Sequence, residues 1–221
     1  MKNDNLLLYG LAIDPGSSSS AAVFFSVAND RWPEPWGILP IWAEEFTNAA
    51  LLGHLRDGKS SPWVNGSQVL VIETMVSIFV RDGFRSGAIA RDQMEAERWG
   101  ARFKEAFLRT TSLPEHSALE IARASARAAT IGQASGGDPQ VRRALIDAYG
   151  GDAVAFGRKC GACKGKGWKG AGRPVCETCG GNGWEVPPGP LYGWSGSHVF
   201  AALACAFAAF RPGGAYDKRN P

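Results

Sequence analysis

The sequence predicts an α/β protein, a mixed five-stranded sheet flanked by helices and carrying a small metal-binding insert. Three observations point there. Two apolar runs, residues 6–13 and 68–72, are each followed at once by a carboxylate, Asp14 and Glu73; unbroken apolar runs of this length are the signature of strands covered on both faces. Segments of helical period lie between and after them. Finally, two near-identical boxes, Cys160-Gly-Ala-Cys163-Lys-Gly-Lys-Gly-Trp168 and Cys176-Glu-Thr-Cys179-Gly-Gly-Asn-Gly-Trp184, stand apart from everything else in the chain.

Each element follows from its own residues. The run 6–13 is a first strand, stopped by the turn Asp14-Pro15-Gly16. After the serine-rich stretch 17–20, residues 21–27 form a second strand, and so short a connection makes the pair antiparallel. Trp32-Pro-Glu-Pro-Trp36 interrupts extended structure, which resumes at 38–46 as a third strand. A short helix is expected over about 48–55, and 68–73 is an interior strand with an acid at its exit. Residues 86–109 favour one long helix, with Ile89, Met94, Trp99, Phe103 and Phe107 on one side and Arg91, Arg98 and Arg102 along a common stripe. A fifth strand is expected at 117–121 and a helix at 139–149, with Pro139 near its start. The alanine-rich segment 198–210 is apolar nearly all round and reads as a buried helix containing an inert Cys205.

A chain of 221 residues, 45% of them apolar, can bury one substantial core with a small insert beside it. The expected division is a main domain of residues 1–156 and 187–221 around an insert at 157–186. No run approaches the roughly 18 apolar residues of a membrane helix, so a soluble, unsecreted, cytoplasmic protein is expected. The net charge of +3 says little about partners. Its distribution says more: Arg158, Lys159, Lys164, Lys166, Lys169 and Arg173 crowd the insert against only Glu177 and Glu185.

The cysteine boxes supply four thiolates on two tight turns, the donor set tetrahedral zinc takes, so Cys160, Cys163, Cys176 and Cys179 are expected to hold one structural zinc ion. They resemble the Cys-x-x-Cys-x-Gly-x-Gly zinc elements of DnaJ-type chaperones. The glycines permit turns that aim backbone N–H groups at sulfur.

Asp14 and Glu73 each end an otherwise uncharged strand, where an unpaired charge would be costly, so something must compensate them. Were the two strands parallel and adjacent, both carboxylates would emerge at one edge, close enough to share a hard cation such as Mg²⁺. The plainer readings are a turn residue for Asp14, and a helix cap or a partner of Arg81 for Glu73.

Together, Gly10-Leu-Ala-Ile-Asp14-Pro-Gly16, Val71-Ile-Glu73 and Ser197-His-Val-Phe-Ala-Ala-Leu-Ala-Cys-Ala206 resemble the RuvC family of Holliday-junction resolvases, on the ribonuclease-H fold. The resemblance implies a Mg²⁺-dependent endonuclease that cuts branched DNA, with two Mg²⁺ ions per site held by Asp14, Glu73, His198 and a fourth position. His198 could instead assist proton transfer. That fourth position, usually Asp, is Ala201 here and has no ligand atom. Three explanations stand: an Asp-to-Ala substitution made to trap substrate, which is the leading one, a ligand from elsewhere, or an inactive relative.

The resemblance also implies a homodimer on a four-way junction, with residues after Glu73, namely Thr74, Met75, Val76 and Phe79, probing its centre. Arg81, Arg85, Arg91, Arg98 and Arg102 are the leading phosphate contacts, with Arg123, Arg127, Arg142 and Arg143 second and Lys164 and Lys166 on the insert. A solvated helix face is the plainer reading of the arginine stripe. The insert is atypical of cellular resolvases, which suggests a phage-type member acting in the host cytoplasm. The insert itself is either a clip for a long loop or an extra DNA clamp. Two rivals remain: an actin-like sugar-kinase half, for which the chain is too short, and a noncatalytic nucleic-acid-binding or zinc-dependent interaction protein.

Overall fold

The computed structural model describes residues 8–27, 37–58, 61–75, 87–166, 168, 174–211 and 213–216, leaving aside the side chains of 87–90. These residues divide into two compact units, one comprising those up to Arg142 and from Ser195 onward, the other Arg143–Trp194.

The first unit is built on a five-stranded sheet in the order β3-β2-β1-β4-β5. Its strands are β1 (Leu8–Asp14), β2 (Ser19–Val27), β3 (Ile38–Thr47), β4 (Val69–Thr74) and β5 (Ala118–Ala122). The first three pair antiparallel, while β4 and β5 run parallel to β1, so the sheet is mixed as the sequence predicts. Central β1 and β4 are the two unbroken apolar runs. Their positions Leu11, Ala12, Ile13, Leu70, Val71 and Ile72 are all buried, because helices cover both faces.

On one face lie α1 (Asn48–Asp57) and α3 (Gly87–Thr111), with the short α2 (Pro62–Asn65) beside them. Leu11 and Ile13 of β1 and Leu70 and Ile72 of β4 join Leu51, Leu55, Phe103 and Phe107 in one buried cluster. Each such side chain contributes about 1.5–3 kcal/mol through burial. Met94, expected on the apolar side of α3, is 47% exposed, while Phe103 and Phe107 are buried as expected, with Ala96, Gly100 and Ala106 buried beside them. The other face is covered by α7 (Ser197–Phe210), which touches all five strands and is buried almost throughout, as its composition predicts. Cys205 is buried there, and burial pushes its thiol well up.

Between β5 and α7 come α4 (Arg123–Ile131) and α5 (Asp138–Ala148). The sequence reading has no counterpart to α4. Its residues, Arg-Ala-Ser-Ala-Arg-Ala-Ala-Thr-Ile, bury only Ala126, and its apolar side is alanine but for the final Ile131, which leaves no bulky stripe to read. In the second unit, α6 (Asp152–Phe156) precedes a two-stranded ribbon of β6 (Arg158–Lys159) and β7 (Trp184–Val186), which closes the loops bearing the cysteines.

Candidate active site and metal centre

Strand alternation decides where the acids point. Leu11, Ile13, Leu70 and Ile72 face α1 and α3, so Asp14 and Glu73, each one residue further along its strand, face α7. Ile13 pairs with Ile72 in the parallel register, which makes Asp14 and Glu73 the next neighbours at the carboxyl edge of the sheet. His198, the second residue of α7, reaches down to them, its Nδ1 lying 2.7 Å from Asp14 Oδ2.

The turn that follows Asp14 is fixed by buried polar groups. Ser20 Oγ donates to Asn48 Oδ1 at 2.6 Å, Asn48 Nδ2 donates to the Gly16 carbonyl, and the Gly16 N–H donates to Ser20 Oγ. A Cβ on Gly16 would stand 2.2 Å from the Ser19 carbonyl oxygen, so only glycine closes this turn. After Glu73, the Met75 N–H donates to Glu97 of α3, which fixes the end of β4.

The partner of both acids is Arg123, the first residue of α4. Its Nε and Nη2 donate to Glu73 Oε1 and Oε2 at 2.8 and 2.9 Å, and Nη2 also donates to Asp14 Oδ1 at 3.3 Å. Ile121 pairs with Glu73 in the register of β4 and β5, so the residue two further on rises beside that carboxylate. This fork was missed from sequence, where Arg123 read as a phosphate contact. The signal for it was an arginine directly after an apolar strand parallel to β4. Arg81, the partner considered for Glu73, lies outside the described residues, as do Val76, Phe79 and Arg85.

Burial pushes both carboxyls upward. For Asp14 this is outweighed by hydrogen bonds from Glu73 and His198 and by the Arg123 charge, which hold it below the usual range. Glu73 stands well above that range, through burial and then the Asp14 charge beside it. Opposite displacement of two neighbouring carboxyls is typical of reactive sites. The hydrogen bond to Asp14 raises the His198 imidazole, although partial burial opposes it.

Ala201 lies one helical turn along from His198, and its methyl lines a cavity about one water across, together with Glu73, Arg123, Arg127 and Asp138. Asp138 carries the Arg127 guanidinium at 2.8 Å. The remaining arginines are spread over the surface: Arg98 lies 3.4 Å from Glu95, Arg102 sits over the Trp99 ring, Arg142 over Phe200, and Arg143 is held by Asp147 and Asp152. Arg91 is exposed on α3.

Asp14, Glu73 and His198 are donor types a divalent cation accepts, but all four carboxylate oxygens are already engaged. Among the described residues only the four cysteines gather three or more donor atoms within 4.8 Å of one another. As arranged, the acid site does not fit Mg²⁺.

The cysteines do fit a metal. All four are buried, with Cys160 and Cys176 sulfurs 3.8 Å apart and those of Cys163 and Cys179 3.7 Å apart. The Gly183 N–H donates to Cys179 Sγ at 3.3 Å. Burial opposes the Cys176 thiolate, yet backbone N–H groups of Cys179 and Thr178 and the neighbouring cysteines bring its thiol down to about 7. Four buried, converging thiols are positioned to bind a metal, and the donor set is the one structural zinc takes. Lys164 and Lys166 stand exposed on the first turn.

A mixed sheet in this order, with flanking helices and acids at the carboxyl ends of β1 and β4, is of the ribonuclease-H-like class. Within that class the chain is similar to RuvC of Thermus thermophilus: at 12% identity and a TM-score of 0.50 the likeness covers 96% of this chain and 97% of that one. It is similar also to RuvC of the same organism in complex with a Holliday junction substrate, at 11% identity and a TM-score of 0.53, covering 96% of each chain. The fold is RuvC-like. No protein-family model matches the chain, and no curated protein does.

Proposed function

We propose that this protein is a structure-selective endonuclease that acts on Holliday junctions or other branched DNA by metal-assisted phosphodiester hydrolysis. The meeting of Asp14, Glu73 and His198 at one edge of a RuvC-like sheet carries this reading. Mg²⁺ is the ion the reading calls for, two per site. Asp14 and Glu73 are the proposed ligands and His198 a third ligand or a proton carrier, in a set that lacks an acid at Ala201.

The remaining assignments belong to the same reading. Zinc at the four cysteines is a structural ion of the insert, residues 157–186. Met75, Val76 and Phe79 would meet the junction centre, and Arg81, Arg85, Arg91, Arg98, Arg102, Arg127, Lys164 and Lys166 its phosphates. A homodimer would present two sites to the symmetric junction, in the host cytoplasm if the protein is phage-encoded. Among the described residues no helix is long and apolar enough to cross a membrane.

One observation favours a noncatalytic junction-binding protein: Arg123 already bridges the two acids while Ala201 leaves the set short. A nicking assay on a four-way junction against linear duplex, with Mg²⁺, separates the two. Ala201→Asp should raise the rate on the order of 100-fold, since even the outer partners of metal ligands are worth about 10–100-fold. Junction-selective binding with no nicking by either protein would leave the noncatalytic reading standing.

A further inference from the structure

Arg123 is the one group at the centre of the acid site that neither the sequence motif nor the proposed reaction employs. Its guanidinium forks across the Glu73 carboxylate, one N–H to each oxygen, and the same Nη2 reaches across to Asp14. Asp14 and Glu73 side chains are 1% and 4% exposed. Two buried carboxylates side by side require a cation between them, because each alone would be heavily penalised and together they repel. In this chain that cation is covalently attached.

We infer that Arg123 is the resident cation of the site: its guanidinium takes the place a divalent ion would occupy between Asp14 and Glu73, so metal enters only when Arg123 leaves. This rests on the reading of these acids as the reactive centre.

Three features support competition rather than coexistence. The fork engages both oxygens of Glu73, and Arg123 with His198 reaches both oxygens of Asp14, so a metal would have to share oxygens that already accept hydrogen bonds, with a guanidinium charge beside it. The charge balance also opposes a metal. A guanidinium does not lose its proton in proteins, so it cancels one carboxylate permanently, and Ala201 adds no acid to the cavity it shares with Glu73 and Arg123. A divalent ion would then meet a nearly neutral group and gain little. Finally, a way out exists. The Arg123 side chain is 28% exposed at the start of α4, and Asp138, a carboxylate at the start of α5, lines the same cavity and contributes to the field on Arg123.

The test is Mn²⁺ binding to the zinc-loaded protein without DNA, read as free Mn²⁺ by electron paramagnetic resonance and checked by thermal melting. Arg123→Gln should bind Mn²⁺ at least tenfold more tightly than the wild type. Arg123→Lys, which keeps the charge but cannot fork across both Glu73 oxygens, should fall between. Adding Glu73→Gln to Arg123→Gln should abolish the gain, which places the ion at this site. Should Arg123→Gln be too unstable alone, Mn²⁺ should restore its melting temperature while leaving the wild type unmoved, by linkage. Wild-type affinity equal to or tighter than that of both Arg123 variants overturns the inference. A protein whose Arg123→Gln variant gains Mn²⁺ but which never nicks a junction keeps this inference and loses the nuclease reading.

Discussion

Among the described residues two clusters of acids or thiols stand out, and the protein treats them in opposite ways. At the four cysteines the sulfurs converge within 4.8 Å, with the Gly183 N–H donating to one of them, so the cluster is built for an ion from outside. At Asp14 and Glu73 the chain brings its own cation, Arg123, and a second basic group, His198. The contrast follows from how each cluster is assembled. The cysteines sit on two short turns with few atoms to bury, and a metal ion would supply the cohesion that so small a core cannot. The acids end two strands of a well-packed sheet, where buried apolar side chains supply the cohesion and the acids need only their charge offset.

Stripping the metal is the sharpest way to break this comparison. Zinc binding to finger-sized modules is worth about 10–16 kcal/mol in apparent terms, more than such a module can replace. Exhaustive chelation, or Cys176→Ser, should therefore erase hydrogen-exchange protection at the amides of Cys160, Cys179 and Gly165, whose bonds close the cysteine turns. Amides of β1 and β4 should keep theirs. Loss of protection in both units, or in neither, would remove the distinction drawn between the two clusters.

A smaller effect tests the acid side. The His198–Asp14 pair raises the imidazole above 6.5 and, with the other hydrogen bonds and charges, holds Asp14 low. A raised histidine adds stability that is complete below its unfolded pKa and lost as pH climbs through its folded value. A lowered aspartate adds stability present above its unfolded pKa and lost as pH falls through its folded value. The pair thus stabilises between the folded pKa of Asp14 and that of His198. Melting curves of wild type and His198→Gln should differ most at about pH 5–6.5 and converge toward pH 9. The imidazole is 42% exposed, so after screening the gap should stay below about 1 kcal/mol. A gap that widens with rising pH would show that Asp14 does not hold a protonated imidazole.

The same contrast explains what could be read in advance. The cysteine boxes are local, each ligand pair three residues apart, so spacing alone announces the cluster. Central strands were legible because β1 and β4 are buried on both faces and carry no polar interruption. Asp14, Glu73 and His198 stood out because each is a polar residue against an apolar run. Arg123 did not, since it lies 50 residues from Glu73 and 109 from Asp14 and begins a helix that buries one alanine. Its role is a property of the register between β4 and β5, which no window of sequence contains. Helix α4 went unread because its apolar residues are nearly all alanines, and Met94 was misplaced because α3 meets the core through Ala96, Gly100, Phe103, Ala106 and Phe107, which leaves Met94 to the side.

The smallest test compares the two cysteine turns with each other. Counting from the first cysteine of each box, Lys164 corresponds to Gly180 and Gly165 to Gly181. The backbone follows suit: φ is 52° at Lys164 and 58° at Gly180, 83° at Gly165 and 89° at Gly181. One turn therefore holds a lysine in a left-handed conformation that its twin gives to glycine. Such a residue costs on the order of 1 kcal/mol, partly balanced by the freedom a glycine would gain in the unfolded chain. Lys164→Gly should accordingly stabilise the zinc-loaded unit by about 0.5–1 kcal/mol, measured by hydrogen exchange at Cys160 and Gly165. The strained lysine is then retained for its side chain, and the substitution should lower the salt slope of junction binding by about one unit if that ammonium meets a phosphate. A more stable unit with an unchanged slope would make the cysteine module a clip and nothing more.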